Sequence, residues 1–270
     1  METKGHVWVM GAGAFTSRRL PVGLADRLAK LKAVFTIIRE PLGIWLPVEL
    51  RGIQVVRLAD EFTNFTDRID NYQRVARRVV EAARDGSEVM YITYGSPVIF
   101  DRVLSFIRNM CFEANLLCTV IPATSSVDAL LAFVGEDMAP GLQICEARWL
   151  VRNSIRLDPR LAVLLFQVGV YWTDGLVQPT EIQTSHLVSL KEYLLKVFPA
   201  KHPAVFVRAP FTMADEGYAN CRSLDELDSG VPQDLMGTSL YLPALSDTER
   251  DYKSWWCMVR RGAWRVARVE

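Results

Sequence analysis

Three short loops and one side-chain pair carry the residue types in this chain that could do chemistry. Gly11-Ala12-Gly13 follows an apolar run, and glycines at a strand end let a ligand, a phosphate above all, approach a helix N-terminus. The third glycine of a dinucleotide fingerprint would fall at Thr16, and only Glu40 stands where a ribose-binding acid is expected, so the fingerprint is incomplete. Tyr94-Gly95-Ser96-Pro97, running on to Ile99, follows a second apolar run, where open α/β sheets present loops to ligands. Pro122-Ala123-Thr124-Ser125-Ser126 follows a third, and its hydroxyls suit either a ligand or a helix cap with Asp128 in the first turn. Arg68 and Tyr72 stand four apart on one face of an expected helix, a spacing that by itself reads as a surface contact.

The elements that must position these residues alternate. Strands are expected at His6–Met10, Val34–Ile38, Gln54–Leu58, Val89–Tyr94 and Cys118–Ile121. Helices are expected over Leu20, Leu24, Leu28 and Leu31, over Thr66–Arg84, from beyond Pro97 to Leu116, and through Ala129–Val134. That rhythm predicts an α/β fold with a largely parallel first sheet. A second α/β unit follows, with strands at Leu142–Val151, Leu161–Val170, Val205–Val207 and Thr238–Leu242, and a helix at His186–Phe198. Met213–Gln233 is polar and aperiodic and reads as a long surface connection. The expected domains are 1–135, carrying the Gly-bearing loops, and 136–245, with a tail at 246–270.

Composition narrows the function classes. The 270 residues are half hydrophobic and 23% charged, a globular balance. Lys plus Arg and Asp plus Glu both number 31, so no global basic excess draws the chain to nucleic acid or anionic lipid. The Trp- and Arg-rich end, with Trp255, Trp256, Trp264, Arg260, Arg261, Arg265 and Arg268, is assigned no role. Cys111, Cys118, Cys145, Cys221 and Cys257 include no C-x-x-C pair and only three histidines accompany them, so no metal site is expected. Without a signal-like start or a long apolar stretch, the expectation is a cytoplasmic protein with no membrane span.

Taken in order, the Gly11-x-Gly13 loop, the Tyr94-Gly95-x-Pro97 loop, the Pro122-x-x-Ser125 loop before a helix, and the strand-rich second half resemble the tetrapyrrole methylases. Those are class III S-adenosylmethionine-dependent methyltransferases with two α/β domains and the donor in the interdomain cleft. The sequence is more similar still to the borosin peptide backbone α-N-methyltransferases, at Tyr94-Gly95-x-Pro97-x-x-Phe100, Pro122-x-x-Ser125, Glu146-Ala147, Gln167-Val168-Gly169-Val170 and Thr238-Ser239-Leu240-Tyr241-Leu242-Pro243. The resemblance implies S-adenosylmethionine as donor, held by Gly11, Gly13, Tyr94, Gly95, Ser96, Pro97, Ile99, Ser125 and Ser126, and by Val168 and Ala209 of the second domain.

It also gives Arg68 and Tyr72 catalytic roles, because that family carries the same pair on the same helix. A backbone amide nitrogen must lose its proton to act as a nucleophile, which leaves negative charge on the neighbouring oxygen. Arg68 would hold that oxygen and Tyr72 would help carry the proton. The sequence departs from the family at Ala59, where a further active-site tyrosine is expected, at Ser96, in place of a histidine, and at Val98, in place of a glycine. No peptide core segment is recognised near Glu270, so the expected partners are a separate precursor peptide and, as implied by the resemblance, a second copy in a homodimer. Two alternatives stay open: a tetrapyrrole, corrin or other small-molecule methyltransferase of the same fold, whose polyanionic substrates would call for a basic cleft, and a binding-only relative, kept in view by Ala59.

Overall fold

Five parallel strands form the first sheet, in the order β3-β2-β4-β1-β5: β1 His6–Gly11, β2 Leu31–Thr36, β3 Gln54–Arg57, β4 Glu88–Thr93 and β5 Leu117–Ile121. The computed structural model describes residues 4–13, 30–38, 52–61, 67–135, 137–173, 184–209, 217–229, 235 and 237–245. The Leu20–Leu28 helix, Glu40 and the tail lie outside them. Leu31, expected to close that helix, instead opens β2: it pairs with Glu88 and its side chain is buried among Trp8 and Met10.

Alternation along the strands sorts side chains to two faces. Val7, Val9, Phe35, Val89 and Tyr91 pack against α1, Arg68–Glu81, and α2, Arg102–Glu113. Trp8, Met10, Val34, Met90 and Ile92 face the other way. The β3-to-β4 and β4-to-β5 crossovers step in the same direction across the sheet, so right-handed connection puts α1 and α2 on one face, where they pack on each other. Each helix has a reason to begin where it does. Asp67 Oδ1 accepts from the Ile69 amide at 2.7 Å, and Asp101 Oδ1 from the Val103 amide at 2.8 Å. Their buried stripes, Asn71, Val75, Ala76, Val79 and Val80 on α1 and Val103, Leu104, Ile107 and Cys111 on α2, keep helical spacing.

A second sheet, order β6-β7-β10-β8-β9, is mixed. β6 (Leu142–Glu146) and β7 (Ala162–Phe166) are parallel, whereas β10 (Ser239–Leu242) runs antiparallel to both β7 and β8 (Pro203–Arg208), and β9 (Tyr218–Ser223) is an antiparallel edge on β8. Its core gathers Leu150, Val163, Leu165, Leu190, Phe206 and Leu240. Among the described residues the remaining α-helices are α3 Ser126–Val134, α4 Ala147–Arg152 and α5 Val188–Leu194. The chain separates into two compact units, the first running to Ala129 and the second from Leu130 onward apart from short terminal and loop pieces.

Three expectations for the second unit are corrected. The strand expected over Leu142–Val151 stops at Glu146, whose carboxylate accepts from the Trp149 amide at 3.1 Å and starts α4. The strand expected over Leu161–Val170 stops at Phe166, because Gln167 adopts φ 58°, a left-handed conformation that ends the extended run. The polar segment Met213–Gln233 contains β9 and a 3-10 turn at Leu224–Glu226, with Leu224 and Leu227 fully buried. Residues 213–216 and 230–233 of it lie outside the described set.

Candidate functional site

In an all-parallel sheet every strand ends at the same edge, and here the carboxyl ends of β4, β1 and β5 are neighbours. Gly11 stands level with Thr93, and Met10 with Ile121. The loops that follow are stitched together beyond the strands. The Ala12 amide donates to the Thr93 carbonyl at 2.8 Å and the Gly13 amide to the Gly95 carbonyl at 2.9 Å. A Cβ on Gly11 would lie 2.0 Å from the Gly95 carbonyl oxygen, 2.9 Å from Pro97 Cδ and 3.0 Å from Ala123 Cβ. Only glycine permits all three loops to meet at that point. Gly95 adopts φ 55°, and a Cβ there would sit 3.7 Å from the Ser126 amide nitrogen, which brings the start of α3 to the same place.

Within this convergence Ser96 and Pro97 are buried, Tyr94, Gly95 and Ile99 are half-buried, and the Ile99 amide closes a turn onto the Ser96 carbonyl at 3.1 Å. Ser125 is buried and its hydroxyl donates to Asp128 Oδ2 at 2.6 Å, while the Asp128 amide donates back to Ser125 Oγ at 3.2 Å. Side chain and backbone thus cap α3 reciprocally, and the Ser125 hydrogen bond holds the Asp128 carboxyl below its usual range. Ser126 is the first residue of α3, so the face this loop offers to a ligand is its backbone amides and small side chains.

Arg68 and Tyr72 arrive at the same edge by topology. α1 follows β3 and precedes β4, so it starts at the carboxyl edge of the sheet, with Arg68 in its first turn and Tyr72 one turn later. Both are half-buried, and Tyr72 packs on the cluster that contains Tyr91. Ala59, the position of the departure, is buried in the 3-10 turn Leu58–Glu61 that follows β3. It supplies no phenol to this edge.

The second unit has an edge of its own. β7 and β8 flank the antiparallel β10, so they run in the same direction, and Val168 and Ala209 follow their carboxyl ends as buried residues. The amino end of β10 enters between them, bringing buried Thr238 and Ser239 to this edge, with Ser239 opposite Val207. Gln167, Thr238 and Ser239 are additions to the candidate residues read from the sequence. Their signals were a left-handed backbone on a non-glycine residue and hydroxyls in an otherwise apolar strand. Among the described residues no group of three or more His, Cys, Asp or Glu is placed to hold a metal ion, and no helix is long and apolar enough to cross a membrane.

A Gly-stitched set of loops at the carboxyl edge of a parallel sheet, followed by a mixed second α/β unit, defines a ligand-binding α/β protein of two units. The sequence matches the model of the Tetrapyrrole (Corrin/Porphyrin) Methylases over residues 6–222, and the chain belongs to that family of methyltransferases. Among curated relatives it is 26% identical over 207 residues to a methyltransferase/ribosomally synthesized type II borosin cyclic peptide precursor of Phlebiopsis gigantea, covering 74% of this chain and 36% of the relative. It is 30% identical over 178 residues to a type I borosin cyclic peptide precursor of Cerrena unicolor, covering 64% and 43%. The chain therefore spans less than half the length of these relatives. The fold is that of uroporphyrin-III C-methyltransferase from Thermus thermophilus, with a TM-score of 0.59, 18% identity and coverage of 88% and 92%. The same enzyme complexed with S-adenyl homocysteine aligns with a TM-score of 0.59, 16% identity and coverage of 88% and 97%.

Proposed function

We propose that this protein is an S-adenosylmethionine-dependent methyltransferase that N-methylates backbone amides of a peptide carried on a separate chain. The observation that carries the reading is the meeting of three loops at Gly11, Gly95 and Ala123 on the edge where α1 delivers Arg68 and Tyr72. The donor supplies an electrophilic methyl group on a sulfonium when bound. The loops fit such a molecule: Gly11 lets them pack together, backbone amides of Ser96 and Ser126 offer donors, and Tyr94, Pro97 and Ile99 offer apolar surface. Ser125 acts by fixing α3, and Val168 and Ala209 are assigned to the donor from the second unit by resemblance.

The acceptor chemistry belongs to α1. Arg68 holds the amide oxygen as negative charge develops on it, and Tyr72 relays the nitrogen's proton to solvent, passing on its own hydroxyl proton as it takes up that one, while the nitrogen takes the methyl group from sulfur, leaving S-adenosylhomocysteine. The borosin relatives support a peptide acceptor, and a homodimer is expected from the family resemblance alone. A second reading, transfer to a small molecule more easily methylated than a backbone amide, is favoured by Ala59, since one phenol of the expected set is missing.

The test has two stages. Calorimetric titration with S-adenosylmethionine and S-adenosylhomocysteine should show binding, and incubation with any short peptide encoded beside the gene should add mass in methyl steps that fragment ions place on the backbone. Arg68→Ala should bind the donor normally yet transfer about a hundred- to a thousandfold more slowly, the usual loss for one oxyanion contact. Turnover unchanged in that variant would remove Arg68 from the chemistry, and donor binding without peptide methylation would select the second reading.

A further inference from the structure

The Tyr94–Phe100 loop leaves β4 through Gly95 and rejoins the fold at α2 through Phe100, and both residues sit at φ 55°. For phenylalanine that region is sterically disfavoured, so something beyond the loop must hold its ends. The group in position to do so is Asp101. Its Oδ1 accepts from the Val103 amide at 2.8 Å, and its Oδ2 accepts from the Tyr91 hydroxyl at 3.3 Å. Tyr91 and Thr93 are buried at the end of β4, just before the loop, whereas Val103 and Leu104 open α2, just after it.

We infer that Asp101 is a positioning residue whose carboxylate ties the two ends of the Tyr94–Phe100 loop together and so fixes the donor-facing residues Tyr94 to Ile99. The inference rests on the reading that this loop holds the donor. Two features separate it from an ordinary helix cap. An amide or a hydroxyl would cap α2 as well, but only a carboxylate has two accepting oxygens, one for the Val103 amide of α2 and the other for the Tyr91 hydroxyl of β4. Burial also outweighs these hydrogen bonds and pushes the Asp101 carboxyl above the usual carboxylate range, and the same burial drives the Tyr91 phenol well above its own.

The sign of that effect matters. A carboxyl whose folded value is raised contributes stability below its unfolded value and loses it as pH rises through the folded value, so near neutrality the ionised group weakens the fold. A residue kept solely for structure would not be expected to carry that cost. The groups facing it are Tyr91 from β4 and, beyond Tyr91, Tyr72 from α1; on its own helix, Arg102 turns to the Phe106 ring.

The experiment compares the full chain with Asp101→Asn and Tyr91→Phe by three measurements: thermal unfolding, hydrogen exchange of the amides from Gly95 to Phe100, and calorimetric titration with S-adenosylhomocysteine. Asp101→Asn is expected to melt no lower than the parent near neutral pH, yet to exchange the loop amides about tenfold faster and bind the probe about tenfold more weakly. Tyr91→Phe should shift loop exchange and affinity the same way by less. In the parent the affinity should fall as pH is lowered and Asp101 takes up its proton, which begins at a higher pH than for an ordinary carboxylate, and in Asp101→Asn this component should be absent. Loop exchange that stays at the parent rate in both variants overturns the inference. Faster loop exchange in a protein whose parent form binds no S-adenosylhomocysteine supports the tie and refutes the donor reading instead. Should Asp101→Asn fail to fold, the Tyr91→Phe exchange rates decide.

Discussion

The two units present their candidate residues in different ways. In the first, all five strands are parallel, so the ends of β1, β4 and β5 and the start of α1 reach one edge by topology alone. Each strand there is followed at once by its candidate loop. In the second, the antiparallel β10 lies between β7 and β8, so that its starting residues Thr238 and Ser239 share an edge with residues that follow other strands. A parallel sheet therefore writes its site as a series of strand-then-loop motifs, and a mixed sheet scatters it. The first pattern was readable by eye; the second yielded Val168 and Ala209 only through resemblance.

The sharpest way to break this comparison is to insert a side chain where the loops of the first unit meet. Gly11→Val would place its Cβ 2.0 Å from the Gly95 carbonyl, a backbone atom that cannot step aside. Overpacking of this kind costs about 1–3 kcal/mol or more, and the displaced Gly95–Pro97 turn should abolish measurable binding of S-adenosylhomocysteine. A variant that binds the probe normally would show that the stitched loops do not form the donor site.

An effect nearly as large is expected in the second unit. Leu224 is fully buried, its amide donates to the His202 carbonyl at 2.9 Å, and the neighbouring Asp225 amide donates to the Ala200 carbonyl at 2.9 Å. Leu224→Ala should destabilise the second unit by about 2–5 kcal/mol, measured by denaturant unfolding. A cost below about 0.5 kcal/mol would return this segment to the surface connection read from its polarity. That reading failed for a physical reason. β9 is an edge strand with one neighbour, so Asn220 and Arg222 need not be apolar; the Arg222 guanidinium donates to Asn220 Oδ1 at 3.0 Å and lies over the Phe206 ring. Tertiary packing, invisible to periodicity, makes it a strand.

The first-unit elements were legible because their apolar runs are bounded by Gly, Pro and Ser and their helices begin at aspartates. The pair proposed for catalysis, Arg68 and Tyr72, was not legible from spacing, since Arg and Tyr four apart suit any solvated helix face, and it gained meaning only from the family pattern. Ser125 shows the limit from the other side. Its hydroxyl is taken up by Asp128, so the structure realises the capping role that the sequence already allowed.

The units should also respond differently to acid. His202 is buried, stacks on Phe198 with ring centroids 4.8 Å apart, and shares a 2.8 Å hydrogen bond between Nε2 and the Pro243 carbonyl. Burial lowers its pKa, opposed in part by that hydrogen bond. A base whose folded value is depressed binds protons more readily when unfolded, so His202 makes the second unit lose stability as pH falls through the ordinary histidine range; in the first unit His6, also lowered by burial, acts in the same direction but Asp101 acts against it, so its slope should be shallower. Hydrogen exchange of each core at about pH 7 and about pH 5 would separate them, and equal slopes in both units would remove this contrast.

The smallest effect tests the boundary that the sequence placed least well. The run Leu142–Val151 is apolar enough to continue as a strand, but Glu146 takes up the Trp149 amide and turns the chain into α4. Glu146→Ala removes that acceptor and should cost about 0.5–1 kcal/mol, the lower part of the range for a lost cap, because Trp149 is exposed and water can replace the bond. Because β6 ends at Glu146, the variant should also speed exchange at the Trp149 amide while leaving that of β7 unchanged. If β7 loosened as well, the turn from β6 into α4 would be setting the register of the sheet and not merely the start of a helix.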